Sequence, residues 1–594
     1  MLDVTWQRLR SSFTHTPRTL RLVFESAPKT MVALLLLTLV SAVLPIAIAW
    51  VGKQIVDAVV ASDRDRTLHW VLVELAIVIG QAATLRALGL ARSLMGARLS
   101  IDINVKILNK ALTLELTDFE SSETYDRLTR ARREASSRPL SVVNESFQLV
   151  QNVLTLAGYV VLLVQFSWLA TLGLVVAAVP AAIVEMRFSK LAFRLRNWRS
   201  PESRQLNYLE YVIANDEHVK EVKLFGLGPL FLDRYRALAE TFYKEDGKLA
   251  RRRAAWALLL SLLGTLAFYG AYASMALSAA AGLITLGTMT LYVIAFRQGQ
   301  QAFQSILSAL GGMYEDNLYM SNLFDFLAIE RGKRSLGPFS RSQGLGIRFE
   351  DVGFRYPGQE GFALRHVNLD VSAGESLALV GQNGSGKTTL IKLLTGLYAP
   401  SEGRVTIDGL DVQAWDREAL RARMSVVFQD FNQYQLKLQE NVGLGDVAHM
   451  EEAARLNRAI ERGGAEEIVR ALPQGLSAQL GRWFKDGVEL SGGQWQKIAI
   501  ARAFMREESD ILILDEPTAA LDAEAEQTVF ERFRALTKGR TSILISHRFP
   551  TVRMADRIIV IEKGAIVESG SHEALVARGG RYAELFRLQA RGYL

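Results

Sequence analysis

The stretch Gly381-Gln382-Asn383-Gly384-Ser385-Gly386-Lys387-Thr388 decides how the second half of this chain folds. It satisfies the G-x-x-x-x-G-K-T phosphate-loop pattern. The apolar run Leu377-Ala378-Leu379-Val380 precedes it, and Leu390-Ile391-Lys392-Leu393-Leu394 follows it with the character of a helix. A glycine-rich loop between a strand and a helix is the context in which this pattern binds nucleotide. The sequence therefore predicts an α/β nucleotide-binding domain.

The residues of the loop suit a polyphosphate. Its glycines let backbone N–H groups turn towards phosphate oxygens, and the helix that follows presents its positive end to the same charge. We predict that Lys387 contacts the outer phosphates and that the Thr388 hydroxyl binds Mg²⁺. The whole loop, with Thr389, is expected to bind ATP.

A second apolar run, Ile511-Leu512-Ile513-Leu514, ends in Asp515 and Glu516. This is the pattern of a buried strand that carries carboxylates at its carboxyl end, where ligands bind in parallel sheets. Asp515 suits the magnesium shell, and Glu516 suits the orientation of the attacking water. ATP and Mg²⁺ are the cofactors that these motifs predict.

Composition points to a membrane portion ahead of this domain. Hydrophobic residues make up 49% of the 594 residues, and long apolar runs are confined to the first half. The absence of cysteine excludes disulfides, thiolate metal sites and a cysteine nucleophile. We predict a cytoplasmic segment at 1–30, a membrane domain with two long cytoplasmic loops at 31–330, a linker at 331–346 and the nucleotide-binding domain at 347–594.

Six membrane spans are predicted, which places both termini on one side. Lys and Arg concentrate in the long loops, so these loops, the termini and the nucleotide domain are expected to be cytoplasmic, in a bacterial inner (plasma) membrane. The net charge of +7 follows this loop pattern, and we expect no nucleic-acid partner. The predicted spans are 31–51, 68–90, 147–166, 168–186, 254–281 and 283–310.

Two features of the membrane domain bear on function. The tips of the long loops, at 117–128 and 216–225, are either solvated helices or segments that dock on the nucleotide domain. Polar side chains inside spans are costly in lipid and face a cavity, another helix or the interface. They either line a translocation path or hydrogen-bond between helices. The residues in question are Glu74, Arg86, Arg297, Gln298 and Gln301.

Between the two nucleotide motifs lies Leu490-Ser491-Gly492-Gly493-Gln494. Together, these three motifs closely resemble the nucleotide-binding domain of ATP-binding cassette (ABC) proteins, and the spans extend the resemblance over essentially the whole chain. The resemblance implies that this segment is the signature, which contacts the γ-phosphate held by the opposite subunit. It also implies that Tyr356 stacks on adenine, that Gln429 is the Q-loop glutamine near the metal, that Asp522 is the D-loop aspartate and that His547 is the switch histidine. Catalysis is expected to involve Glu516, His547 and Lys387. The chain departs from the family pattern just before the signature, at Gly481-Arg482-Trp483-Phe484-Lys485-Asp486-Gly487.

One phosphate loop and one signature imply two chains per working unit, either a homodimer or a pair with a related half-transporter. The expected fold is an α-helical six-span transmembrane domain followed by an α/β P-loop domain with a helical signature subdomain. The expected function is that of a type-I, exporter-like half-transporter in the lipid bilayer. It would use ATP to export a hydrophobic or amphipathic peptide, lipid or drug by alternating access. An importer on the same scaffold, or an ATP-gated channel or sensor, stays open as an alternative.

Overall fold

The computed structural model describes most of the chain in two compact units. Met1–Leu114 and Glu123–Ile329 form the first unit, and Glu115–Ser122 and Glu330–Leu594 form the second. The predicted linker lies almost wholly outside the described residues, and so does most of the fourth predicted span. The described residues are 14–121, 124, 127–129, 131–132, 138–166, 180, 183–184, 187–188, 191–192, 194–195, 198–329, 346–516, 539–546 and 548–591.

The first unit is helical. Within the described residues, α2, α3, α5 and α8 are long and apolar enough to cross a membrane. They carry the first, second, third and fifth predicted spans, so four of the six predicted spans are confirmed as candidates. The sixth predicted span lies on α9, which is not among these candidates and contains Arg297 and several glutamines. The helices are α1 (Thr16–Ser26), α2 (Pro28–Val60), α3 (Arg64–Leu112), α5 (Arg138–Phe166), α6 (Ser200–Ala214), α7 (Val219–Leu224), α8 (Gly228–Ala280) and α9 (Leu286–Leu327).

The long helices continue beyond the thickness of a bilayer. α3 has 49 residues, which at 1.5 Å per residue makes it about 74 Å long, against a hydrocarbon core of about 30 Å. A buried apolar cluster joins α3 to α5 and α9 through Met95, Val143 and Phe326. A polar contact also joins α5 to α9, since the Arg138 guanidinium lies 2.8 Å from the Asp316 carboxylate.

The second unit is built on two sheets. The first is antiparallel, in the order β2-β1-β4-β5. The second has the order β10-β9-β3-β8-β7-β6, in which only β10 is antiparallel to its neighbour. The strands are β1 (Ile347–Phe354), β2 (Leu364–Val371), β3 (Ser376–Val380), β4 (Glu402–Ile407), β5 (Leu410–Asp411), β6 (Met424–Val427), β7 (Ile511–Asp515), β8 (Thr541–Ile545), β9 (Arg557–Glu562) and β10 (Ala565–Gly570).

The core strands read as continuous apolar runs because helices and the other sheet bury both of their faces. β7 and β8 are buried at every position. A separate apolar cluster around Trp495 holds the helical part that carries the signature. The helices of this unit are α4 (Leu116–Glu120), α10 (Lys387–Leu394), α11 (Arg417–Ala422), α12 (Leu438–Gly443), α13 (Ala453–Gly463), α14 (Glu466–Ala471), α15 (Gly492–Phe504), α16 (Phe549–Val552), α17 (His572–Arg578) and α18 (Arg581–Arg591), with short 3-10 turns at Val412–Ala414, Val447–His449 and Gly475–Ser477.

The short helix α4 belongs to the second unit although it lies within the predicted membrane domain. The Arg417 guanidinium lies 2.6 Å from the Glu115 carboxylate. Leu116 packs against the core between the two sheets. Of the first predicted tip, 117–128, residues 117–122 thus belong to the second unit, whereas α7, at the second tip, belongs to the first unit.

Candidate active site

The phosphate loop connects the central strand β3 to α10, as the sequence predicts. Gly386, at φ +108°, adopts a backbone conformation that favours glycine, and a Cβ there would lie 2.6 Å from the Leu364 side chain. The Lys387 ammonium donates to the Gly381 and Gln382 carbonyl oxygens at 2.8 and 3.1 Å. Burial lowers the pKa of Lys387, while Glu516 and Asp515 act to raise it. The lysine is thus held within the loop, facing two carboxylates.

The two residues predicted to bind magnesium lie together. Thr388 Oγ1 donates to Asp515 Oδ2 at 2.9 Å. Asp515 is 1% exposed, and its other oxygen, Oδ1, is buried without a hydrogen-bond partner among the described residues. Burial raises the pKa of Asp515 to about 6, against a smaller opposing effect of the Thr388 hydrogen bond.

The carboxylate predicted to act on water lies one residue further. Gln429 Nε2 donates to Glu516 Oε2 at 2.9 Å, so the structure brings together the predicted Q-loop glutamine and the predicted catalytic carboxylate. Glu516 has φ +49°, which is uncommon for a residue other than glycine. Strain of this kind is often found at functional sites.

The sequence did not predict one polar contact just after β7. Gln496 Nε2 lies 3.4 Å from the Glu516 carbonyl oxygen, and the side chain is almost fully buried. Its only signal in the sequence is a glutamine on the apolar side of the helix that follows the signature. The pattern of one helix does not say which distant strand such a residue meets.

The predicted adenine platform lies next to the loop. The Tyr356 hydroxyl and Thr389 Oγ1 are 2.9 Å apart. The Tyr356 ring packs edge-on against Phe354 and Tyr398, at centroid distances of 5.0 and 5.6 Å. Lys392 lies 5.5 Å from the centre of the Tyr356 ring.

The signature begins the helix α15, as predicted. Ser491 caps the helix: its Oγ accepts from Gln494 N at 3.3 Å, and Gln494 Oε1 accepts from Ser491 N at 2.8 Å. Ser491 and Gly492 are exposed, Gly493 is half-buried, and Leu490 is buried. In the segment before it, Trp483 and Phe484 are 81% and 53% exposed. The capped start of α15 is thus exposed, and two exposed aromatic rings lie seven and eight residues before Ser491 in the sequence.

The remaining predicted site residues are those of the D-loop, the switch and the substrate path. Asp522 and His547 lie outside the described residues. On α9, Arg297, Gln298 and Gln301 are exposed, while on α3 Arg86 is exposed and Glu74 is half-buried.

Comparison with known proteins gives the family. Residues 364–519 match the ABC transporter family, and residues 31–303 match the ABC transporter transmembrane region. The subtilin transport ATP-binding protein SpaT of Bacillus subtilis is 31% identical over 94% of this chain and 92% of its own length. This chain belongs to the ABC transporter family.

Other relatives of this ABC transporter have similar coverage. The nisin transport ATP-binding protein NisT of Lactococcus lactis subsp. lactis is 30% identical over 96% of this chain and 95% of its own. An ATP-dependent lipid A-core flippase of Xanthomonas campestris pv. campestris is 30% identical over 91% and 90%.

A solved bacterial Atm1-family ABC exporter with ATP bound superposes with a TM-score of 0.79. The alignment covers 95% of this chain and 99% of that one at 23% identity, and this likeness concerns the fold alone. The predicted family is confirmed, and so is the predicted order of a helical transmembrane domain followed by an α/β nucleotide-binding domain, whereas the count of six spans stays a prediction. The chain is an ATPase of the ABC transporter type.

Proposed function

We propose that this ABC transporter hydrolyses ATP to export a hydrophobic or amphipathic substrate across a bacterial inner membrane. The observation that carries the proposal is the pairing of hydrolytic residues in one chain. Thr388 is bonded to Asp515, and Gln429 is bonded to Glu516. A chain that only senses ATP has no need of a complete hydrolytic set, whereas a pump that turns over does.

Magnesium fits the pair formed by Thr388 and Asp515. Asp515 Oδ1 is a buried carboxylate oxygen with no partner among the described residues, and oxygen ligands suit Mg²⁺. The metal, when bound, would neutralise charge on the outer phosphates. Thr388 and Asp515 would hold it, with Gln429 close by through its contact with Glu516.

The division of labour within the site follows from its contacts. Lys387 leaves the loop carbonyls to donate to phosphate oxygens. Glu516 accepts a proton from the attacking water, and Gln429 orients that carboxylate. Tyr356 provides a ring for adenine, while the D-loop and switch roles of Asp522 and His547 rest on the family resemblance.

The working unit is proposed to be a dimer. Ser491 and Gly492 at the start of α15 are exposed, so a second chain can reach them, as a site shared between two chains requires. Both half-sites are present in this sequence, which favours a homodimer over pairing with a related half-transporter. Closure on ATP and reopening after hydrolysis would alternate access to the substrate path.

The domain limits and topology remain part of the proposal. They are a cytoplasmic segment at 1–30, a six-span domain at 31–330, a linker at 331–346 and a nucleotide-binding domain at 347–594. Both termini and the ATP site would be cytoplasmic, because the basic residues concentrate in the long loops.

The relatives narrow the substrate class. Two are named for the transport of subtilin and nisin, and one is named a lipid A-core flippase. These names support an amphipathic substrate for this chain as well. Arg297, Gln298 and Gln301 on α9, with Glu74 and Arg86 on α3, are the proposed path residues.

Replacing Glu516 tests the hydrolytic assignment. In the Glu516→Gln variant we expect ATP binding to persist, because the amide fills the same space. Turnover should fall about 100-fold or more, since the general base is lost. ATP binding and phosphate release are measured on the purified full chain in lipid nanodiscs.

Lys387→Ala is the matched variant, in which binding itself should weaken. Turnover in Glu516→Gln close to that of the wild type would sink the assignment. ATP-dependent accumulation of solute in inverted vesicles separates a pump from a channel, because a channel does not concentrate its solute.

A further inference from the structure

The helix α9 exposes only polar side chains along most of its length. Of residues 287–317, the exposed ones are Arg297, Gln298, Gln301, Gln304 and Ser308. Every apolar residue in this stretch is buried or half-buried. The face of α9 that is left open within the described chain is therefore hydrophilic.

The other long helices of the first unit do the opposite. Leu36 on α2, Leu72 on α3 and Leu266 on α8 are 58%, 56% and 70% exposed, together with many apolar neighbours. Those faces suit lipid. The open face of α9 does not, because a guanidinium and several amides are unfavourable in hydrocarbon.

The polar residues of α9 form a continuous stripe. Positions 297, 301, 304 and 308 follow the spacing i, i+4, i+7 and i+11, so they share one face. At 1.5 Å per residue, the stripe is about 16 Å long. The neighbouring Gln300 is not part of this stripe, because its side chain packs against α8. A Cβ built on Gly264 of α8 would lie 2.6 Å from Gln300 Nε2.

Arg297 is an unpaired cation in this stripe. Within the described residues it makes no ion pair and no hydrogen bond, whereas Arg138, Arg199 and Arg417 of the same chain each have carboxylate partners. A guanidinium keeps its charge in any surroundings and presents a planar fork of donors that matches a carboxylate or a phosphate. Gln301, one turn further, adds an amide donor on the same face.

We propose that Arg297 and Gln301 form an anion subsite on the transport path, which binds the carboxylate or phosphate group of an amphipathic substrate. Arg297 lies about 16 Å from the start of α9, near the middle of a hydrocarbon core of about 30 Å. An anionic group would find its counter-charge there, while the apolar part of the substrate contacts apolar walls. The inference rests on the proposed export function and specifies the substrate as an anionic amphiphile.

The test compares amphiphiles that differ only in charge. Full-length protein in phosphatidylcholine nanodiscs is titrated with dodecyl phosphate or dodecyltrimethylammonium, and ATPase stimulation is normalised to the unstimulated rate of each variant. In the wild type, half-maximal ATPase stimulation should need a concentration of dodecyl phosphate at least about 10-fold lower than that of dodecyltrimethylammonium. A lipid arm with lyso-phosphatidic acid and a peptide arm with an acylated acidic peptide distinguish the source of the anionic group.

The variants locate the effect. Arg297→Ala should abolish the preference for the anion, Arg297→Glu should invert it, and Arg297→Lys should retain most of it. Arg252→Ala, which removes an exposed arginine from α8, is the matched control and should keep the wild-type preference. Because the response to charge is read as a ratio in each variant, a lower protein yield does not mimic the effect.

Three results would overturn the inference. The first is the absence of any charge preference in the wild type, and the second is a wild-type preference in Arg297→Ala. The third is a loss of the preference for the anion in Arg297→Glu that a second substitution, Glu74→Arg, restores. The last would make Arg297 an ion-pair partner within the assembly. A wild type that hydrolyses no ATP would instead overturn the proposed function, so the two failures are distinguishable.

Discussion

Asp515 carries a buried carboxyl group that we propose binds Mg²⁺. It lies at the carboxyl end of a strand buried at every position, and one of its oxygens is bonded to Thr388. Burial raises its pKa to about 6 because the charged form loses hydration. Between the ordinary range of an aspartate and that value, the folded protein therefore keeps a proton that the unfolded chain has released.

A pH dependence follows from this. Binding of Mg²⁺ requires the carboxylate, so the affinity for Mg²⁺ and ATP together should rise as pH increases through about 6 and weaken below it. The measurement is the Kd for Mg²⁺ in the presence of ATP, from pH 5 to 8, in the Glu516→Gln background that does not turn over.

Asp515→Asn serves as the control. It should bind Mg²⁺ weakly and show a smaller step near pH 6, because only the terminal phosphate of ATP then titrates in this range. A Kd that stays flat between pH 5 and 7 in the background variant would contradict the role of Asp515.

At the scale of elements, α4 is a short helix that belongs to the second unit. Five helical residues are too few to be stable alone, so their position depends on what they pack against. Leu116 meets the core between the two sheets, and Glu115 meets Arg417 on α11. We expect the packing of Leu116 to stabilise α4 against the core, and the ion pair between Glu115 and Arg417 to set the register of α4.

Reversing the charges tests this contact. Glu115→Arg should lower the ratio of substrate-stimulated to basal ATPase activity while ATP binding stays intact. The pair is partly exposed, so the effect should be modest, up to about fivefold. Arg417→Glu in the same chain should restore the ratio.

Glu418→Arg makes the same charge change on the exposed side of α11 and should leave the ratio as in the wild type. If the double reversal of Glu115 and Arg417 is no better than the single one, the ion pair does not set the register.

At the scale of the whole molecule, the phosphate loop and the signature are proposed to be two halves of one ATP site shared between chains. The natural chain contains no cysteine, so an engineered pair can react without background. With Asn383→Cys and Ser491→Cys in one chain and ATP present, a short bifunctional reagent should produce covalent dimers, because both positions are exposed. Each single variant should produce far fewer.

The readout is the dimer band on a denaturing gel, with and without ATP. Equal yields from the double and single variants would contradict the shared site. A band only after co-expression with a related half-transporter would replace the homodimer by a heterodimer.

Local pattern determined much of this protein. The glycines around Lys387 and the apolar run before Asp515 and Glu516 specify a strand, a turn and carboxylates over a few residues, so family, fold class and cofactor chemistry could be predicted. The apolar runs likewise predicted the spans, of which four are confirmed as candidates.

Tertiary structure decided what depends on contacts between distant residues. Gln496 meets the carbonyl of Glu516 across 20 positions, and Arg417 meets Glu115 across 302. The polar stripe around Arg297 has functional meaning because the apolar residues of 287–317 are all buried or half-buried, which only the packing of the helices decides. A sequence specifies the period of a helix and the character of its faces, but which face stays open depends on how the helices pack.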